Sequence, residues 1–273
     1  MCKMKIKQVI WGCLVCISVS ITCFAENFSD EKHKTPKKTK LVIIKLDDIV
    51  AGSNGETISD RWQRVADFLE KKKIKAAFGI IGYSLVDDNP DYFKWITDRA
   101  SRGYVEFWNH GFWMRSDDDT TGEFERGYDE QLRALHLTDS LAKVKLGLSL
   151  TTWGPHWSGT NENTDLALSR IPQIRMTFQL PYRPVHYKGI VLPRNIDLEY
   201  PTHNPDFNAF LEAYQGKWKD LDHFFLQGHP MSWDDVRWEN FVQIIEFLQS
   251  EGVRFITPSE FYEIKAAEVL RKQ

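Results

Sequence analysis

Past residue 25 the chain contains no cysteine: all four (Cys2, Cys13, Cys16 and Cys23) lie before that point. If this segment is removed, the remainder forms no disulfide and has no cysteine nucleophile or thiolate ligand. An exported chain without disulfides must rest on its core. Taking 25 residues from 273 leaves 248, enough for one domain that buries about three quarters of its unfolded surface. Positive charge is also short. There are 35 Lys and Arg against 38 Asp and Glu, and loss of Lys3, Lys5 and Lys7 with the leader moves the net charge from -3 to -6. That balance leaves no basic field for nucleic acid or an anionic surface. The one basic run, His33-Lys-Thr-Pro-Lys-Lys-Thr-Lys40, reads as a solvated linker. Internal repeats and other low-complexity stretches are absent.

The leader has the form of a secretory signal. Three early lysines precede an apolar stretch from Val9 to Ala25, with a cut expected after Cys23-Phe24-Ala25 and no basic stop-transfer cluster behind it. The expected organisation is a signal peptide over 1–25, a linker over 26–39 and a single domain over 40–273. Export to the periplasm or medium follows, with no membrane span after cleavage. An uncleaved anchor is the alternative.

From residue 41 short apolar runs alternate with helical periods, the mark of parallel β/α architecture. Strands are predicted at Leu41–Leu46, Ala76–Ile81, Tyr104–Trp108, Ser149–Trp153, Arg175–Leu180, Ile190–Leu192, His223–Gln227 and Val253–Ile256. Helices are predicted at Arg61–Lys71, Tyr92–Ser101, within Gly122–Leu148, at Trp238–Ser250 and from Ser259. Seven or eight strand-helix units make a deformed (β/α) barrel the expected fold, with prolines obscuring the count between Arg170 and Phe210. In such barrels chemistry gathers at the C-terminal ends of the strands.

Several of those ends carry reactive side chains. The first strand runs out on Asp47-Asp48, the third on Asn109-His110-Gly111, the fourth on Trp153-Gly-Pro-His156 and a late one on Gly228-His229-Pro230. Two carboxylates at one strand end can divide metal binding from proton acceptance; taken alone, they can equally cap a helix. His110 is a candidate metal ligand. His229, between a glycine and a proline, is a candidate general acid or a ligand. Of the ten tryptophans, nine follow the leader. Trp113, Trp157 and Trp233 adjoin these motifs and are candidates for stacking on sugar faces, whereas Trp62, Trp95 and Trp108 suit barrel packing.

Taken in order, Asp-Asp, Asn-His-Gly, Gly-Pro-His-Trp and Gly-His-Pro resemble the polysaccharide deacetylase superfamily, chitooligosaccharide deacetylases among them. The likeness extends from about Leu41 to Phe261, supported by Ile74–Gly82 and Gly252–Pro258. It implies a deformed (β/α) barrel, a divalent metal, zinc first, and removal of acetyl groups from N- or O-acetylated glycans. It assigns Asp47 as base, Asp48 and His110 as metal ligands, His229 as acid and the segment at Pro155, His156 and Trp157 as groove wall. One departure is sharp. The second histidine of the family's His-x-x-x-His pair falls on Met114, a poor zinc ligand. His156, Asn109, His229 or a carboxylate from Asp117-Asp118-Asp119 is left to fill the place. The family's groove arginine has candidates only in Arg175 and Arg183. Two other classes stay open: a silent glycan-binding barrel, and a glycosidase drawing a second acid from Glu106 or Asp222.

Overall fold

A computed structural model describes residues 39–271 other than 54, 55, 115 and 117. The expected signal peptide and nearly all of the linker lie outside the described residues. The first unit is β1 (Leu41–Ile49) and α1 (Asp60–Lys71). Ser59 caps that helix by accepting from Trp62 N, and the helix buries Trp62, Val65, Ala66 and Leu69, the face predicted from periodicity. Then come β2 (Ala76–Ile80), α2 (Pro90–Ser101), β3 (Val105–Asn109), α3 (Tyr128–Leu141), β4 (Thr152–Trp153), α4 (Glu162–Leu168), β5 (Met176–Phe178) and β6 (Ile190–Leu192). The chain closes with α5 (Phe207–Gln215), β7 (His223–Gly228), α6 (Asp235–Ser250), β8 (Arg254–Phe255) and α7 (Pro258–Leu270).

All eight strands are parallel. Their order is β6-β5-β4-β3-β2-β1-β7, with β8 paired to the first residues of β1. One face of this sheet turns inward: Ile43, Ala77, Trp108, Phe178, Leu192 and Phe225, from six strands, form one cluster. The intervening residues Val42, Ile44 and Leu46 pack outward with α1 and α6. Six strands meeting at one inner cluster make the sheet a deformed (β/α) barrel, left open between β6 and β7.

The long helix expected within Gly122–Leu148 is three pieces: a 3₁₀ turn over Glu123–Glu125, α3, and a π turn over Ala142–Leu146. Glycines precede the first two pieces. Gly122 N donates to Glu125 at 2.8 Å and Gly127 N to Glu130 at 3.3 Å, so each glycine starts a new turn. α4 and α5 were not expected, and the terminal strands β5 and β6 are three residues each.

Candidate active site

Alternation along β1 points Ile43, Lys45 and Asp47 into the barrel. Asp48 would then face outward, but it does not follow the strand. Its φ is 67°, and the β1–β2 register shifts between Leu46 and Ile49. This bulge turns the second carboxylate towards the mouth that the first already faces. Aspartate tolerates the left-handed backbone better than most residues.

β3 applies the same alternation. Trp108 and His110 point inward, while Asn109 donates to Leu135 O on α3 at 3.2 Å. His110 Nδ1 donates to Gly154 O at 2.9 Å. A carbonyl can only accept, so Nδ1 carries a proton and Nε2 faces the mouth. His156, just past β4, is held in the same way by Trp113 O at 3.2 Å. Both Nε2 atoms converge on one oxygen, Asp48 Oδ1, at 3.1 Å from His110 and 3.5 Å from His156. Neither approach is an aligned hydrogen bond, and Asp48 Oδ1 is buried without a partner.

That orphaned oxygen tests whether the residues fit a divalent ion. Ligands about 2.1 Å from a tetrahedral zinc stand roughly 3.4 Å apart. The two spacings bracket this value, and both imidazoles have their other nitrogen fixed by a carbonyl. Those two spacings suit a divalent ion, although no three such side chains among the described residues stand in a ready-made cage. Burial works to raise the Asp48 carboxyl, but His110 beside it, with His156 and His229, outweighs burial and holds it well below the usual carboxylate range. Burial and the neighbouring His110 push His156 down, favouring its neutral form.

The opposite wall is densely bonded. Lys45 Nζ reaches both oxygens of Asp47, at 2.7 and 2.5 Å, and its ammonium lies over the rings of Trp108 and Phe178 at 4.9 and 5.5 Å. Burial pulls the Lys45 pKa down in spite of Asp47. Asp47 Oδ2 lies 3.6 Å from His110 Nε2 and 3.8 Å from His229 Nε2. His229 Nδ1 donates to Glu199 Oε2 at 2.6 Å, and its backbone N–H to Glu199 Oε1 at 2.8 Å. Trp233 Nε1 (2.7 Å) and His203 N (2.9 Å) complete the shell around Glu199. Burial works to lower the His229 pKa, but Glu199 and Asp47 outweigh it and raise the pKa. The same contact keeps Glu199 below its ordinary value against burial.

Asp47, Asp48, His110, His156 and His229 therefore meet at one mouth. Other sequence-based expectations are corrected. Trp233 is 1 % exposed and packs on Phe241 at 4.7 Å, so its indole orients Glu199 and is closed to a sugar. Pro155 is buried too, whereas Trp157 is exposed. His156 lines the hollow beside Trp113 and Trp157, with its Nε2 turned towards Asp48. Met114 is an exposed side chain. Asp119 accepts from Ser116 N and Oγ, and Asp117 lies outside the described residues. Arg175 stacks on Tyr262 and bonds Glu263; the arginine whose charge reaches Lys45 is Arg194. Glu106 accepts from Ser259 N and Oγ at the far end of the barrel, and Asp222 pairs with His223 at the start of β7. Neither acid the glycosidase reading needs is at the mouth.

Lys45, Glu199 and Arg194 were missed as members of this region. Alternation was signal enough for Lys45, two residues before Asp47. Glu199 gave none, for it sits in an irregular stretch between β6 and α5.

No family model and no curated protein matches the sequence. Solved structures do match. A putative polysaccharide deacetylase from Mycobacterium smegmatis has a TM-score of 0.63 at 15% identity, covering 86% of this chain and 93% of that one. A family 4 acetyl xylan esterase from Clostridium thermocellum, in complex with a cobalt ion, has a TM-score of 0.59 at 18% identity, covering 83% and 92%. This chain has the polysaccharide deacetylase fold. The same fold holds a CE4 family pseudoenzyme from Bacillus anthracis, with a TM-score of 0.54 at 16% identity over 83% of this chain and 66% of that one. A mutant of that pseudoenzyme is described as having restored activity. The fold thus carries both active and silent sites, so the fold alone does not settle activity.

Proposed function

We propose that this protein is a divergent member of the polysaccharide deacetylase superfamily, a metal-dependent hydrolase that removes acetyl groups from an acetylated glycan. The observation that carries the reading is the orphaned Asp48 Oδ1 facing two oriented imidazoles, with Asp47 and His229 across the same mouth. Asp48, His110 and His156 would hold a divalent ion, zinc or cobalt by donor type. His156 takes the part that Met114 leaves vacant. When bound, such an ion polarises the acetyl carbonyl and acidifies water.

The chain's own groups divide the rest. Asp47, held at both oxygens by Lys45, accepts the proton of the attacking water. The water oxygen bonds to the acetyl carbon, and the bond from that carbon to the sugar nitrogen or oxygen breaks. His229 Nε2 delivers the proton to the departing amine or hydroxyl. Its raised pKa, maintained by Glu199, suits a donor that must stay protonated near neutral pH. The products are acetate and the free sugar group.

The deciding experiment joins metal analysis to an acetate-release screen over N-acetylglucosamine oligomers and O-acetylated xylo-oligosaccharides. Near-stoichiometric metal that Asp48→Ala eliminates, together with acetate release by the wild type, is expected. A protein that takes up no zinc or cobalt in excess and releases no acetate would be a silent barrel, and the hydrolase reading would be wrong.

A further inference from the structure

At the end of the barrel opposite the mouth, a groove of about 630 Å³ lies between the end of α4, the start of β5 and β6, and α7. Strand direction fixes the place. Arg175 precedes β5 and Ile190 opens β6, with Ile190 N donating to Arg175 O at 3.0 Å, whereas the mouth lies past the other ends of the strands. Leu168, Ile171, Ile174, Ile190, Ala266 and Val269 make the lining largely apolar. A second hollow of about 300 Å³ shares Ile190, Lys265 and Val269 with the groove, follows β6 as far as Leu192 and reaches His223 on β7. It occupies the seam at which the barrel is left open. The apolar path therefore extends beyond the groove itself. Its volume falls within the roughly 300–1,000 Å³ of small-molecule sites.

Charge is the first guide to an occupant. The chain is net negative, yet Arg175, His186, Lys188 and Lys265 line the groove, and among the described residues no acid does. The carboxylates that pair with Arg175 and Lys265, Glu263 and Glu268, lie off this lining. Tyr187, on the wall, is the second guide. It is 5 % exposed, and its hydroxyl is buried with no hydrogen-bond partner. Gly189, also on the wall, gives the phenol its room, since a Cβ there would collide with Tyr187 Oη. Burial, with Tyr262 nearby, pushes the phenol pKa up, so the group stays a donor. A buried hydroxyl without an acceptor is costly, and an anionic oxygen makes the strongest acceptor for it. A small anion alone would leave the apolar floor empty. A plain hydrocarbon would leave the cations and the phenol unused. An amphiphile with a long alkyl chain and an anionic head satisfies both.

We propose that this groove binds a long-chain carboxylate, its alkyl chain along the apolar floor and its head held by the Tyr187 hydroxyl and the surrounding cations. The groove lies apart from the mouth, so its occupancy is independent of the chemistry there.

The test titrates the purified protein, by calorimetry, with decanoate, dodecanoate and tetradecanoate, each below its micelle concentration, and with dodecanol as the neutral counterpart. One saturable site is expected, tightening by up to about fourfold for each added methylene. Dodecanol should bind about tenfold more weakly than dodecanoate. Ala266→Trp, which fills the groove from α7, should eliminate binding. Tyr187→Phe, which keeps the ring, should weaken the acids by about tenfold and dodecanol by less. Circular dichroism and thermal unfolding check that both variants fold, and Tyr187→Phe carries the test alone should Ala266→Trp fail to fold. No saturable binding of any of the three acids overturns the proposal. So does dodecanol bound as tightly as dodecanoate, or acid binding that a folded Ala266→Trp or Tyr187→Phe leaves unchanged. Capture by phosphatidylglycerol vesicles without binding of the monomeric acids would make this face a membrane contact and overturn it as well.

Discussion

The two walls of the mouth differ in one respect that decides how each works. On the β1–β7 side both carboxylates are held by protein donors: Lys45 grips Asp47, Glu199 receives His229 Nδ1, and Trp233 and His203 complete Glu199. On the side of β3 and β4 the imidazoles are held from behind by carbonyls, but the oxygen they converge on has no hydrogen-bond partner. A buried carboxylate oxygen left so is expensive unless something binds it. One wall is therefore finished by folding alone, and the other by a ligand. Substitutions on the first should disturb stability or proton transfer. Substitutions on the second should disturb ligand occupancy and spare the fold.

The largest effect is expected from Asp48→Ala. It removes the oxygen that both imidazoles face, so bound metal and acetate release should fall below detection together. The variant should still fold cooperatively, and, unlike the wild type, its unfolding temperature should not rise when zinc is added. A stable variant that keeps its metal would place the ion elsewhere. His156→Ala should lower metal affinity less steeply, since Asp48 and His110 remain. If metal affinity is untouched, His156 is not the replacement for the histidine missing at Met114.

On the finished wall, His229→Ala should cost roughly 10² to 10⁴ in kcat with metal content unchanged. Glu199→Gln tests how that histidine is tuned. The His229 pKa is raised, so the proton donor is present below it and lost as pH rises through it. The alkaline limb of the rate profile should lie above the ordinary histidine value of about 6.5. Removing the Glu199 charge should move that limb to lower pH. A limb that stays in place would leave Glu199 with a packing role only. Stability follows the same sign: the His229–Glu199 contribution is full at low pH within this pair's histidine range and fades as pH rises through the raised value.

How these walls were legible in the sequence follows from their physics. Strand periodicity and apolar runs located β1, β3 and β7 and put Asp47, His110 and His229 at their ends, because alternation is a local property. The bulge that redirects Asp48 left no local mark beyond the Asp-Asp pair itself. His156 was visible as a strand-end histidine, but its role depends on the Trp113 carbonyl, more than forty residues away in sequence. Glu199 lies where prolines and turns replace periodicity, and its only ladder contact is an isolated bridge to Pro205. Trp233 sat beside a motif, which suggested a sugar contact, when α6 in fact draws it into the core. Lys45 was the avoidable miss: a lysine inside an apolar strand, two positions before an aspartate, shares that residue's face.

Lys45 also yields a sharp test of the finished wall. Lys45→Met removes the cation and leaves Asp47 a buried carboxylate without its partner, which typically costs about 3–5 kcal/mol. The double variant Lys45→Met with Asp47→Leu exchanges the pair for apolar groups and should regain most of that stability while remaining inactive. Failure of the double variant to recover would mean that the pair shapes the barrel interior by more than its charge.

The smallest effect should come from Trp233→Phe. The ring is fully inside, packed on Phe241 and close over Gly228, so phenylalanine keeps part of the packing and loses the indole N–H. Glu199 Oε1 would then retain only the His229 N–H at 2.8 Å. A hydrogen bond to a charged acceptor is worth about 1.5–3 kcal/mol, so stability should fall by that order plus the lost ring volume. The more telling readout is again the alkaline limb. With one donor fewer, the Glu199 charge is less satisfied by its own shell and interacts more strongly with His229, which should move the limb slightly upward, opposite to Glu199→Gln. A small upward displacement here against a larger downward one in Glu199→Gln would tie the limb to this carboxylate; displacement in the same direction would break the link.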